Sequence, residues 1–214
     1  MRTRIGRRLR RAAGLVGLAF VAASLGCALL PLRGRAIDDC PGALVSTRDI
    51  AGEFLIRQRV RVDSGARAFA FELAIQKRGD ELLVVGLDPL GAKLFAVTQV
   101  GVDTTIDALP APVLEVPPHN VLRDLHRARF LQAEPVPHHG IATATHGPDR
   151  ILEIWQDGRL RARRITRDGT PGQVRLAFST PGPEADGSER VAIENEWCGY
   201  RAEIVTLSEG SLPD

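Results

Sequence analysis

The chain has 214 residues, 28 of them basic and 26 acidic, with a net charge of +2 and a pI of about 8.6. Six of the arginines stand in Met1–Arg11 with no acid beside them, and without them 22 basic residues face 26 acidic ones, net −4. An acidic mature domain offers nucleic acid little, and 14 prolines, 21 glycines and few aromatics favour strands and turns over helices.

In chain order, the basic stretch gives way to an apolar run, Ala12 to Gly26, and then to Cys27. A basic n-region, an apolar h-region and a small residue before the cut make a bacterial export signal. Ser24-Leu25-Gly26-Cys27 resembles a lipobox, which makes residues 1–26 a lipoprotein signal peptide and Cys27 the lipidation site. The alternative is an uncleaved anchor, since Ala12 to Leu30 is just long enough to span a bilayer. Either way the domain is exported. Ala28 follows the cysteine where an Asp would mark inner-membrane retention, so the expected location is the periplasmic face of the outer membrane. The three cysteines make an odd count. Lipidating Cys27 leaves Cys40 and Cys198 to form a disulfide; two free thiols are the other reading.

Residues 27–46 read as a tether, 47–207 as one β domain and 208–214 as a tail. Phe54 to Val62 alternates apolar residues with Arg57, Arg59 and Arg61, the period of a strand. Further strands are Arg67 to Gln76, Glu81 to Leu87 and Lys93 to Val100. The turn Asp88-Pro89-Leu90-Gly91 joins the last two, Pro89 presetting φ and Gly91 taking the positive-φ position. Gly101 to His119 reads as an irregular excursion. Asn120 is placed to cap a helix from Val121 to about Gln132, with Val121, Leu122, Leu125 and Ala128 as its apolar stripe. Pro135 to Gly147 reads as a loop. Strands resume with Ile151–Asp157, Leu160–Thr166, Gln173–Thr180, Arg190–Glu196 and Tyr200–Leu207, with Asp157-Gly158 and Asp168-Gly169 as hairpin turns. The expectation is a mainly β (α+β) fold: a half-open antiparallel β-barrel, or strongly curved sheet, of about nine to eleven strands with the helix on its concave side.

Two stretches resemble a known family. Leu87-Asp88-Pro89-Leu90-Gly91 looks like the turn of the outer-membrane lipoprotein receptor LolB and its relatives. The closing Ile193-Glu194-Asn195, Gly199-Tyr200-Arg201 and the strand after them resemble an uncharacterised family of bacterial lipoproteins grouped with LolA and LolB. The match runs from Phe54 to Leu207. The resemblance implies a half-open barrel with a helical lid over an apolar cavity. It implies a role in holding an acyl chain, a lipid such as a polyene lipid, or a lipoprotein cargo across an aqueous compartment. LolB also displays a protruding loop with an exposed apolar residue. Leu90 is the candidate for it here, a buried hairpin leucine being the commoner role.

The expected cavity lining is Phe69, Phe71, Leu73, Ile75, Leu83, Val85, Phe95, Val97, Ile154, Phe178 and Ile193, although a packed core needs the same apolar faces. Trp155, Trp197 and Tyr200, each apolar with a polar tip, suit a rim. Arg57, Arg59 and Arg61 suit anionic head groups or a solvated face. His138, His139 and His146 sit in the Pro/Gly-rich loop and read as solvated rather than as a metal site; His119 and His126 read as surface residues. No Gly-x-Ser-x-Gly occurs, and Ser64 and Ser188 lie in turns without a base. The chain is therefore read as a monomeric binding protein with no catalytic residue, metal or cofactor. Its membrane partner is reached through the diacylglyceryl Cys27. A structural or interaction lipoprotein with a packed core is the alternative.

Overall fold

A computed structural model describes residues 40–65, 67–109, 116–179 and 188–212. Cys27 and the signal segment lie outside them. The strands are β1 (Phe54–Asp63), β2 (Ala68–Arg78), β3 (Glu81–Leu87), β4 (Lys93–Val100), β5 (Asp103–Ala108), β6 (Gly140–His146), β7 (Asp149–Gln156), β8 (Arg159–Arg167), β9 (Thr170–Ser179), β10 (Arg190–Asn195) and β11 (Tyr200–Ser211). All eleven form one curved antiparallel sheet in the order β5-β4-β3-β2-β1-β11-β10-β9-β8-β7-β6. Two meanders thus meet at the β1–β11 pair, where Val60 faces Ile204 and Val62 faces Ala202.

The two edge strands differ from the sequence expectation, which left both as loops. Every residue of β5 is exposed, so it has no buried face to write an apolar alternation. Its place is set by the free ladder of β4, along which Val97 meets Ile106 and Phe95 meets Ala108. β6 alternates half-buried Gly140, Ala142, Ala144 and His146 with exposed Ile141, Thr143 and Thr145, and buries none of them fully. The hairpin turns follow their residues: Gly91 has φ +84° and Asp157-Gly158 has +54° and +69°, the left-handed pair of a two-residue turn.

Strand alternation gives the sheet two faces. One, here the inner face, buries Ile56, Val60 and Val62 from β1, Phe71, Leu73 and Ile75 from β2, and Leu82 and Val84 from β3. Onto it packs α1 (Pro118–Leu125), continued by a π-helical turn, His126–Phe130. Val121, Leu122, Leu125 and Ala128 are all buried there. The helix begins earlier than Asn120 suggests, because Pro118 holds the first-turn position that needs no N–H. Asn120 does not cap it; its side chain accepts the Cys40 N–H at 2.9 Å.

The segment before β1 crosses the inner face beside the helix. Cys40 is bonded to Cys198, the Ala43 N–H donates to Asp149, the Val45 N–H to His126 and the Thr47 N–H to the Gly101 carbonyl. Cys40, Val45 and Thr47 are buried. The disulfide closes a sequence separation of 158 residues, a constraint on the unfolded chain of about 5 kcal/mol. Among the described residues no helix is long and apolar enough to cross a membrane.

Candidate functional site

Buried charge fixes the helix to the sheet. Arg127 donates from Nη1 to Asp124 at 2.6 Å and from Nη2 to the Pro41 carbonyl. Asp124 also accepts the Tyr200 hydroxyl. Burial first, and then the Asp124 carboxylate, holds the Tyr200 phenol well above its ordinary range. On the neighbouring strands Arg163 pairs with Glu153, Nη2 to Oε1 at 2.6 Å, and Glu153 also accepts Trp155 Nε1–H at 2.9 Å. Arg163 Nη1 donates to the Arg127 carbonyl, satisfying an acceptor that the end of the helix leaves open. Burial pulls the Arg163 pKa down, and Glu153 opposes it.

His126 corrects the surface expectation: it is fully buried. Its Nδ1 accepts the Val45 N–H at 3.0 Å, so Nε2 carries the proton it shares with Gln99 Oε1 at 2.8 Å. Burial first, and then the neighbouring His146, push its pKa down to about 3.

Beyond the end of the helix the inner face opens. A pocket of about 370 Å³ lies there, with Ala128, Trp155, Leu160, Phe178 and Val191 as apolar wall and Gln58, Arg129, Gln132, Arg159, Arg163, Ser179 and Glu189 as polar wall. Arg129 is held by Glu209 at 2.7 Å. Beneath α1 itself the space closes to about 20 Å³ among Val60, Phe71, Leu73, Leu125, Tyr200 and Ile204.

The expected lining therefore divides three ways. Phe71, Leu73, Ile75, Phe95, Val97 and Ile193 belong to the filled core, with Phe69 half-buried against it. Phe178 reaches the pocket. Leu83, Val85 and Ile154 stand on the opposite, outer face, because the register pairs Leu83 with Gln76, Val85 with Ala74 and Ile154 with Ala162. β3 is apolar at every position from Leu82 to Val85, so parity alone did not choose its inner side. Of the expected rim, Trp155 lines the pocket but is buried, and Tyr200 is buried in the helix network. Trp197 is half-buried between Arg127 and Arg167, whose guanidinium carbons lie 5.2 and 6.0 Å from its ring centre. Arg57 and Arg59 lie on the outer face against Glu72. Leu90 is not buried: at the tip of the β3–β4 hairpin it is 93% exposed.

Glu153, Arg163 and Asp149 were not picked out from the sequence. The signal for them was present: each falls at an inward position of its strand, in step with Ile151 or Ile165, where a charge needs a partner.

A family model described as "Protein of unknown function (DUF3261)" matches residues 55–208, which agrees with the uncharacterised family expected from the hairpin and closing segments. No curated protein matches the chain. Among solved structures, it is similar to a LolA superfamily protein from Nitrosomonas europaea, with 8% identity, a TM-score of 0.44 and coverage of 78% of this chain and 90% of that one. It is also similar to a domain from Vibrio parahaemolyticus described as an outer membrane lipoprotein-sorting protein, with 10% identity, a TM-score of 0.48 and coverage of 76% and 87%.

Proposed function

The chain belongs to the DUF3261 family of proteins of unknown function, and from that premise we propose a lipid-anchored binding protein on the periplasmic face of the outer membrane. In this reading it holds the acyl chain of a lipid or lipidated substrate and assists its transfer. The observation that carries the reading is the inner-face pocket of about 370 Å³, within the size range of small-molecule sites. Trp155, Leu160, Phe178 and Val191 offer methylene groups an apolar wall without directed bonds, and Arg129, Arg159 and Gln132 offer a polar end.

Two features support a membrane-facing orientation. The β3–β4 tip with Leu90 and the β10–β11 turn with Cys198 lie at the same end of the sheet. Cys40 is bonded at that end, and the thirteen residues from Cys27 to Cys40 reach at most about 45 Å. A lipidated Cys27 would hold that end near the bilayer, with Leu90 exposed toward it.

The test is mass spectrometry of the organic extract of the Cys27→Ala protein. Co-purified acyl species are expected, and crosslinks of an acyl photoprobe to Phe178 and Val191 should be lost in Leu160→Trp, which fills the pocket from its half-buried wall. Absence of bound acyl species together with refusal of acyl probes rejects carriage. The filled space beneath α1 favours the second reading, a scaffold with a packed core, which that negative result would leave standing. Lipidation has its own readout: intact mature protein should lack Met1 and carry acyl mass at Cys27.

A further inference from the structure

The outer face of the second meander carries a groove of about 770 Å³, and Arg163 is the one residue that lines both it and the inner-face pocket. Its floor is one row of side chains laid straight across five strands. Ile141 pairs with Ile154, Ile154 with Ala162, Ala162 with Ala177 and Ala177 with Ala192. The row spans four inter-strand spacings, about 19 Å. Ile141 and Ile154 are 67% and 45% exposed, an apolar end open to water, and the alanines beyond them leave a trough one methyl deep.

The wall on one side is basic. Two residues along each strand from the floor stand Leu152, Arg164, Arg175 and Glu194, with Arg201 opposite Glu194. Arg175 is shared between Glu194 and Glu196, and Arg201 also binds Glu194. Arg164 has no ion-pair partner among the described residues, and it is directly opposite Arg175 on the next strand. Like charges in that position repel, a strain that an anion placed between them would relieve.

We infer that this groove binds a single-chain anionic lipid, its acyl chain along the Ile141–Ala192 row and its head group on Arg164 and Arg175. The geometry disfavours a peptide. The backbone groups of β7 to β10 are paired on both sides, so an extended segment lying across them would bury its amides without partners. The flanking row from Leu152 to Glu194 stands about 6.8 Å from the floor. An acyl chain has no polar group to strand. The site is independent of the inner-face pocket and stands or falls without it.

The experiment uses the Cys27→Ala protein and palmitic acid carrying a chain diazirine, below its micellar concentration. Photolysis and peptide mapping should place crosslinks on outer-face residues such as Ile141, Ile154 and Ala177. Ala177→Phe, which fills the floor, and Arg164→Glu, which reverses the free charge, should each weaken binding about tenfold or more. Palmitoyl lysophosphatidate should compete, and monopalmitoylglycerol, with the same chain and no charge, should compete about tenfold less. Leu160→Trp, which closes the inner pocket, should leave the groove crosslinks in place. Both altered groove residues are exposed, and Ala192→Phe repeats the test if Ala177→Phe disturbs the thermal midpoint. Crosslinks confined to Phe178 and Val191 would overturn the groove and leave the inner pocket standing. Equal competition by the neutral lipid, or unchanged binding in Ala177→Phe and Ala192→Phe, would also overturn it.

Discussion

The same strands present two unlike surfaces. The inner face is locked: the disulfide, the Tyr200–Asp124 hydrogen bond and the bond from Arg163 to the Arg127 carbonyl tie residues distant in sequence, around buried pairs at Arg127–Asp124 and Arg163–Glu153. The outer face of β6 to β10 has no element packed on it among the described residues, and its side chains there are alanines, isoleucines and arginines in solvent. Alternation with period two lets one strand serve both purposes. In β7, Ile151, Glu153 and Trp155 face the helix side while Leu152 and Ile154 face out. The division separates, by residue parity, the side chains that lock the fold from those left open to solvent on β6 to β10, and each prediction below tests that separation.

The largest effect belongs to the disulfide. Replacing Cys40 and Cys198 by Ser together should lower unfolding stability by about 5 kcal/mol, read from urea titrations with the slope fitted separately, since the freed unfolded chain expands. Outer-face lipid affinity, measured where the variant remains folded, should not move. A parallel fall in affinity would show that the two faces are coupled.

Next comes the buried ion pair. Glu153→Ala strands Arg163 and the Trp155 N–H in the core and should cost about 3–5 kcal/mol. The double variant Glu153→Leu with Arg163→Met should recover most of that loss, because it removes the stranded charge itself. If the double variant is no better than the single one, the pair contributes by attraction rather than by mutual neutralisation.

His126 gives a pH-dependent effect that is absent at neutral pH and stays below the two above over the first two pH units under 6.5. In the folded chain it stays neutral down to about pH 3, whereas in the unfolded chain it takes up a proton near the ordinary value of about 6.5. The unfolded state therefore binds more protons between those values. The contribution of His126 is complete above about pH 6.5 and declines by about 1.4 kcal/mol per pH unit as pH falls toward 3. His126→Gln should flatten that slope in denaturant titrations between pH 6.5 and pH 4, and an unaltered slope would assign the acid sensitivity to other groups.

Nine of the eleven strands were legible because each has a buried face and Gly- or Asp-Gly-marked turns. β5 and β6 were not, since an edge strand is specified by the ladder beside it as much as by its own side chains. The helix was legible by its apolar stripe at Val121, Leu122, Leu125 and Ala128, but its start was misread. Asn120 looks like a cap in sequence, and only the approach of Cys40 gives it another partner. The pairing of Cys40 with Cys198 followed from cysteine arithmetic. The groove was invisible for a simpler reason: Ala162, Ala177 and Ala192 are unremarkable singly, and only register aligns them.

The smallest expected change in stability is at Leu90. Its side chain is 93% exposed, and the turn that carries it is held by Asp88, whose carboxylate accepts the N–H groups of Leu90 and Ala92 at 2.8 Å. Leu90→Asp should leave the unfolding midpoint unchanged within about 0.5 kcal/mol, since the N–H it contributes is retained. Transfer of acyl cargo to phosphatidylglycerol vesicles should slow, because a carboxylate at the tip opposes insertion into an anionic bilayer. Binding in the inner pocket and in the outer groove should both stay as they were. That outcome would give the tip a third role, delivery, distinct from the locked inner face and the open outer one. Unchanged transfer would return Leu90 to the status of a solvent-exposed turn residue.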